Sequence, residues 1–247
     1  MTIVRIEAEP GFVLHQTPYR ETSLLVDLYS RHYGRVRCVA KGFRKPNKKG
    51  ISRAIFPYTE HYFSWQGNGD LKTLTRADAI QAPIFLQREA LFTGLYINEL
   101  LYRLMHEYDP HPYFYAHYQQ FIAQLAERGA NEAMLRTVEM SLLEELGYGL
   151  VLHVDSQGLA IDANQFYQYV PEHGLTPVGN SQDPNALFGR DLIALVNNDF
   201  SQASVMRAAK QINRRVIDFY LGGRPLNSRE LYRQHIMSAD NHPSAVE

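Results

Sequence analysis

The residues best placed to do chemistry are cations that lack neighbouring carboxylates. Residues 41–53 hold Lys41, Arg44, Lys45, Lys48, Lys49 and Arg53, with no Asp or Glu among them. Gly42, Pro46 and Gly50 punctuate the run as a loop would require. Lys and Arg in such a loop neutralise phosphates, so the segment suits a polyanion. Towards the other end Arg207, Lys210 and Arg214 step by three and four, which places them on one face of a helix, with Arg215 adjoining. Arg35 and Arg37, alternating with Val36 and Cys38, complete the candidate phosphate-binding set. A solvated turn explains an isolated basic run equally well, but a second cationic face favours one shared anion. An acidic partner surface fits too.

Composition frames these islands. The chain has 247 residues, 45% hydrophobic and 21% charged, with 16 Tyr, 12 Phe and one Trp, which excludes dominant disorder. The formal net charge of −1 conceals an uneven distribution, because the first eighty residues carry thirteen Lys and Arg against seven Asp and Glu. The single cysteine, Cys38, permits neither an internal disulfide nor a cysteine-based zinc site. It alternates with Val36 and Ala40 and reads as a small buried hydrophobe. The amino terminus lacks a basic lead and an apolar core, and no apolar run nears the roughly 18 residues that cross a bilayer, so a cytoplasmic protein is expected.

Catalytic constellations are missing. The sequence has no phosphate-binding Gly-rich loop, no Gly-x-Ser-x-Gly elbow and no His-Glu-x-x-His helix. His106, His111 and His117 are spaced five and six apart, whereas helical ligands need three or four to share a face. Paired acids such as Glu144 and Glu145 read as a solvated face. No catalytic residue, metal site or cofactor is expected.

The elements that must position the cations follow from hydrophobic period. Alternation at Phe12 and Leu14, at Leu24, Val26 and Leu28, and at Val36, Cys38 and Ala40 predicts strands, with later ones over 54–65 and 71–80. Five short strands predict a small closed barrel, of OB type rather than its SH3-like rival, with the basic loop between the third and fourth strands. Rings such as Tyr19, Tyr33, Tyr62 and Phe43 fall there; most read as core or edge packing rather than base platforms, and Phe43, inside the basic loop, is the best candidate for exposure. After Pro83 the period becomes helical, through 91–105, 112–128 and 131–146. Helical pattern resumes at 187–196, 205–221 and 228–236 after an irregular, cysteine-free insertion over about 150–185. The fold expected is thus α+β and multidomain, with an OB barrel over 1–82, a helical bundle domain over 83–237 and a disordered tail from 238 to 247.

Five blocks carry a resemblance: FVLHQTPYRETSLL at 12–25, GRVRCVAKG at 34–42, GLYINELL at 94–101, LGYG at 146–149 and YLGGRPLNSREL at 220–231. Together, and in order over nearly the whole chain, they resemble the RecO family of bacterial recombination mediators. The resemblance implies an OB domain, binding of single- and double-stranded DNA, annealing of complementary strands, and help to RecR in loading RecA onto strands coated by single-strand-binding protein (SSB). It implies no catalytic site. Many relatives carry a four-cysteine zinc module in the region of 150–185, where this chain has no cysteine. The resemblance also places the C-terminal tail of SSB at Arg136, with Leu135, Leu142, Leu143 and Met134 able to line an apolar groove. Two readings outside this one remain open: an RNA-binding barrel, and a protein scaffold without annealing activity.

Overall fold

The computed structural model describes residues 4–44, 54–179 and 183–240. Five strands open the chain: β1 (Arg5–Tyr19), β2 (Ser23–Ser30), β3 (Gly34–Ala40), β4 (His61–Gln66) and β5 (Lys72–Ala79). They close into a barrel of order β1-β2-β3-β5-β4, in which β3 and β5 pair in parallel and all other neighbours are antiparallel. This is an OB barrel, as the strand count and spacing predict. The long β1 closes it by pairing with both β2 and β4, and irregularities at Ile6/Glu9 and Val13/His15 bend it between the two partners. The barrel core gathers Val13, Val26, Leu28, Val36, Cys38, Phe63, Trp65 and Leu74. Cys38 lies buried within it, as its alternation predicts.

The fourth strand starts later than its apolar content suggests. Ile55 and Tyr58 are buried but unpaired, with Tyr58 at φ 62, so residues 54–60 wrap the core before pairing begins at His61. Phe43 is corrected from exposed platform to core residue: it is 4% exposed and packs with Ile55 and Trp65 inside the barrel cluster. A ring flanked by cations still gains more from burial than from water.

Among the described residues six helices follow the barrel: α1 (Arg88–Leu104), α2 (Pro112–Arg128), α3 (Glu132–Glu145), α4 (Gly189–Val196), α5 (Ala203–Tyr220) and α6 (Asn227–Asp240). Pro112 occupies the first turn of α2, where its missing N–H is harmless, and the Asn131 side chain accepts from Met134 N at the start of α3. Between α3 and α4 lie β6 (Phe166–Val170), β7 (Gly174–Val178) and β8 (Leu187–Phe188), a three-stranded sheet of order β7-β6-β8, the first two strands within the segment read as irregular and the third at the start of the stretch expected as helix.

The chain divides into two compact units, residues 1–129 with 226–247, and residues 130–225. The first unit includes α1 and α2, which pack on the barrel. Asn98 Nδ2 donates to the Val13 carbonyl at 3.2 Å, and Tyr118 Oη donates to Asn98 Oδ1 at 2.6 Å. Phe12, Tyr29, Tyr115 and Tyr118 form a contiguous ring cluster with centroid separations of 5.0–5.9 Å. The last helix rejoins this unit through Glu99, which accepts from the Asn227 and Ser228 backbone N–H groups at 2.9 and 2.8 Å. That carboxylate sits where a helix N-terminus favours negative charge. The α6 helix runs to Asp240, into the segment expected as a tail.

Candidate nucleic-acid interface

On the barrel, strand ends decide which cations are available. Leu24 pairs with Ala40, so the β1–β2 turn and the end of β3 meet at one end of the barrel. Lys41 is exposed there and makes no ion pair with a described residue. Arg44 is exposed too, and its Nη1 donates to the Arg20 carbonyl at 3.2 Å, while its backbone N–H donates to the Thr22 carbonyl at 3.0 Å. Lys41, Arg44 and Arg20 therefore share this end. Sequence reasoning missed Arg20, which lies outside the basic run. It lies in the turn between β1 and β2, and OB barrels bind oligonucleotides with loops of this kind. Lys45, Lys48, Lys49 and Arg53 lie outside the described residues.

Arg35 and Arg37 have a different environment. Both reach Asp27, which is 1% exposed, through Arg35 Nη1 at 3.1 Å and Arg37 Nε at 3.0 Å. Arg35 also pairs with Glu107 at 3.2 Å and donates to the Met105 carbonyl, and Arg37 donates to Tyr102 Oη at 3.1 Å. Burial lowers the Arg37 pKa, but the hydrogen bond and charge of Asp27 outweigh this and raise it. Expected as phosphate ligands, these two arginines are instead engaged in joining the barrel to the α1 side of the same unit.

Among the rings, Tyr62 on β4 is 46% exposed and Tyr33 packs edge-on to Trp65 at 5.6 Å. These two, rather than Phe43, offer ring surface to solvent. Across the barrel, Lys72 lies 5.0 Å from the Tyr108 ring and donates to the Gly69 carbonyl at 2.7 Å.

In the other unit, α5 buries Val205, Ala208, Ala209, Ile212, Asn213, Val216 and Ile217 and leaves Arg207, Lys210 and Arg214 exposed. The three do share the solvent face. Lys210 pairs with Glu132 at 3.0 Å, whereas Arg207 and Arg214 make no ion pair with a described residue; Arg215 is half-buried. Arg136 on α3 is only 7% exposed. Its Nη1 donates to the fully buried Glu139 at 2.8 Å, and Asn213 Nδ2 donates to the same carboxylate at 2.9 Å. The Arg136 Nε is buried and has no hydrogen-bond partner among the described residues. Leu142 and Leu143, further along the same helix, are buried, and Leu135 is half-buried.

No group of His, Cys, Asp and Glu among the described residues could hold a metal ion, and no described helix is long and apolar enough to cross a membrane. Fold and surface together define an OB-barrel protein extended by a helical region, with exposed cations on both units.

Comparison with known proteins names the lineage. Residues 3–83 match the N-terminal model and residues 86–230 the C-terminal model of recombination protein O, so the chain belongs to the recombination protein O family. It is 42% identical over 226 residues to the DNA repair protein RecO of Pseudomonas aeruginosa, covering 91% of this chain and 94% of the relative. With the DNA repair protein RecO of Haemophilus influenzae identity is 40% over 232 residues, covering 94% and 98%. The Methylococcus capsulatus protein of the same name is 39% identical over 230 residues, covering 93% and 94%.

Proposed function

We propose that this protein acts in recombinational DNA repair by binding single- and double-stranded DNA and annealing complementary strands, without chemistry of its own. The observation that carries the reading is the pair of exposed cations, Lys41 and Arg44, at one end of an OB barrel with no carboxylate partner among the described residues. Two strands repel through their phosphates, and annealing needs that repulsion screened. Lys41, Arg44, Arg20, Arg207 and Arg214 are the side chains assigned to this role, together with Lys45, Lys48, Lys49 and Arg53 on sequence grounds. Arg35, Arg37 and Lys210 have carboxylate partners and contribute less. Tyr62 and Tyr33 are the rings assigned to base stacking.

The family resemblance adds partners: RecR, the SSB tail, and RecA through them. A tail carboxylate at Arg136 is supported by the unpartnered Nε and opposed by Glu139, which already faces the guanidinium. Binding of a tail peptide to the protein and to Arg136→Ala tests it, and equal affinity removes Arg136 from that role.

Annealing of complementary fluorescent oligonucleotides, bare and SSB-coated, tests the main reading. Purified protein accelerates annealing and the Lys41→Ala/Arg44→Ala/Arg207→Ala/Arg214→Ala variant loses most of the acceleration. No acceleration by the unaltered protein overturns it. Competition with a matched RNA strand decides the RNA-binding reading, which requires RNA to compete better than DNA.

A further inference from the structure

A cavity of about 270 Å³ in the 130–225 unit has a chemistry opposite to that of the cationic surfaces. Tyr148, Tyr169 and Tyr220 line it, with Asp155, Glu172 and His173, and no described Lys or Arg lines it. Tyr148 comes from the Gly-Tyr-Gly motif after α3, and its ring stacks on Tyr220 at the end of α5, 3.6 Å between centroids and 15° between planes. The faces of this pair turned away from each other, and the Tyr169 ring, carry negative quadrupole charge that attracts cations.

The two carboxylates are held in different ways. Asp155 Oδ1 accepts the backbone N–H groups of Gln157 and Leu159, both at 2.9 Å, which fixes the group in its turn and leaves Oδ2 without a hydrogen bond to a described residue. Glu172 makes neither a hydrogen bond nor an ion pair with a described residue, and it lies at φ 65 in the turn between β6 and β7. A Gly or Asn adopts that left-handed conformation at less cost, so a carboxylate held there is a local departure from what the turn alone selects. The Tyr220 hydroxyl is pushed up by burial and by the charge of Glu172, which places that charge at the cavity. An anion would meet like charge here.

We propose that this cavity binds an organic cation, a guanidinium or alkylammonium group, between the carboxylates of Asp155 and Glu172 and the tyrosine faces. Neither the DNA-binding reading nor the tail reading uses these residues. Two sources offer this chemistry: an Arg or Lys side chain of a partner protein, and a free polyamine.

The test is titration of the full-length ¹⁵N-labelled protein with acetyl-Gly-Arg-Gly-amide, with the same peptide carrying neutral citrulline, and with spermidine. The amides of Gly147, Gly149 and Gly174, all at the cavity, are the reporters. Saturable shifts at these three with the arginine peptide, absent with citrulline and at least tenfold weaker in Glu172→Gln, support a partner's side chain. Tighter saturation by spermidine at the same glycines supports the cation site and assigns it to a polyamine. Absence of shifts with both cations, equal shifts with citrulline, or unchanged affinity in a folded Glu172→Gln variant overturns the proposal. Gly149, whose φ is ordinary and whose added Cβ would meet nothing within 4 Å, supplies a second variant: Gly149→Leu narrows the cavity without strain and weakens binding by either cation.

Discussion

Asp27 illustrates how much one buried carboxylate can organise. It faces two guanidinium groups from β3, and removing its charge leaves both with one partner fewer in a poorly hydrated place. Breaking a buried pair in this way costs about 3–5 kcal/mol. Asp27→Asn is therefore expected to lower unfolding stability in urea by about 3 kcal/mol, the lower end, because the Arg37 side chain is 35% exposed. Cys38 gives a second test. Burial pushes its thiol up to about 12 from 9.0, so the folded state holds the proton where the unfolded chain releases it. The stability linked to this group is fully present below pH 9 and is lost as pH rises towards 12. Alkylation at pH 8 should label Cys38 only after unfolding, and Cys38→Ala should flatten the alkaline fall in stability. The burial of Cys38 was legible in its alternation with Val36 and Ala40. The pairing of Arg35 and Arg37 was not, because alternation places a side chain outside a barrel without saying what it meets there. Asp27 lies directly opposite Arg37 across the β2–β3 ladder, a register that only the folded barrel reveals.

At the scale of elements, turns and helix faces set the limits. Gly34 starts β3 at φ 64, and a Cβ there would clash with the Asp109 carbonyl oxygen, so backbone rather than a flexible side chain would have to move. Gly34→Ala is expected to cost about 3 kcal/mol in urea unfolding, more than an ordinary surface substitution. On α5 the one cationic face contains unequal members. Lys210 already has Glu132, whereas Arg207 and Arg214 do not, so single alanine variants at the latter two should weaken DNA binding more than Lys210→Ala does. Equal losses in an anisotropy titration would remove that distinction. The spacing of Arg207, Lys210 and Arg214 made their common face readable in sequence, since helical period fixes direction. The start of β4 was not readable: Ile55, Phe56 and Tyr58 are as apolar as a strand, yet they contribute burial without pairing. Phe43 misled for a related reason, because neighbouring charge says little about where a ring packs.

For the molecule as a whole, charge is the organising quantity. A chain of net charge −1 binds a polyanion only where its cations are locally grouped, and two such groups lack carboxylate partners among the described residues, the Lys41–Arg44 end of the barrel and Arg207 with Arg214 on the solvent face of α5, while Arg31, Lys72, Arg88, Arg190 and Arg224 also lack one but lie outside these groups. The five-stranded barrel and the helices were legible from period, whereas the packing of α1 and α2 against the barrel was not, because it depends on Asn98, Tyr115 and Tyr118 meeting Phe12 and Val13 across long sequence separations. The most direct measurement is the affinity for a fluorescent single-stranded oligonucleotide as salt is varied. Log affinity should fall linearly with log salt, and Lys41→Ala/Arg44→Ala and Arg207→Ala/Arg214→Ala should each reduce the slope by ~0.7 for every phosphate the variant no longer neutralises. Binding that ignores salt, or slopes that stay the same in both folded variants, would contradict the assignment of these cations to DNA.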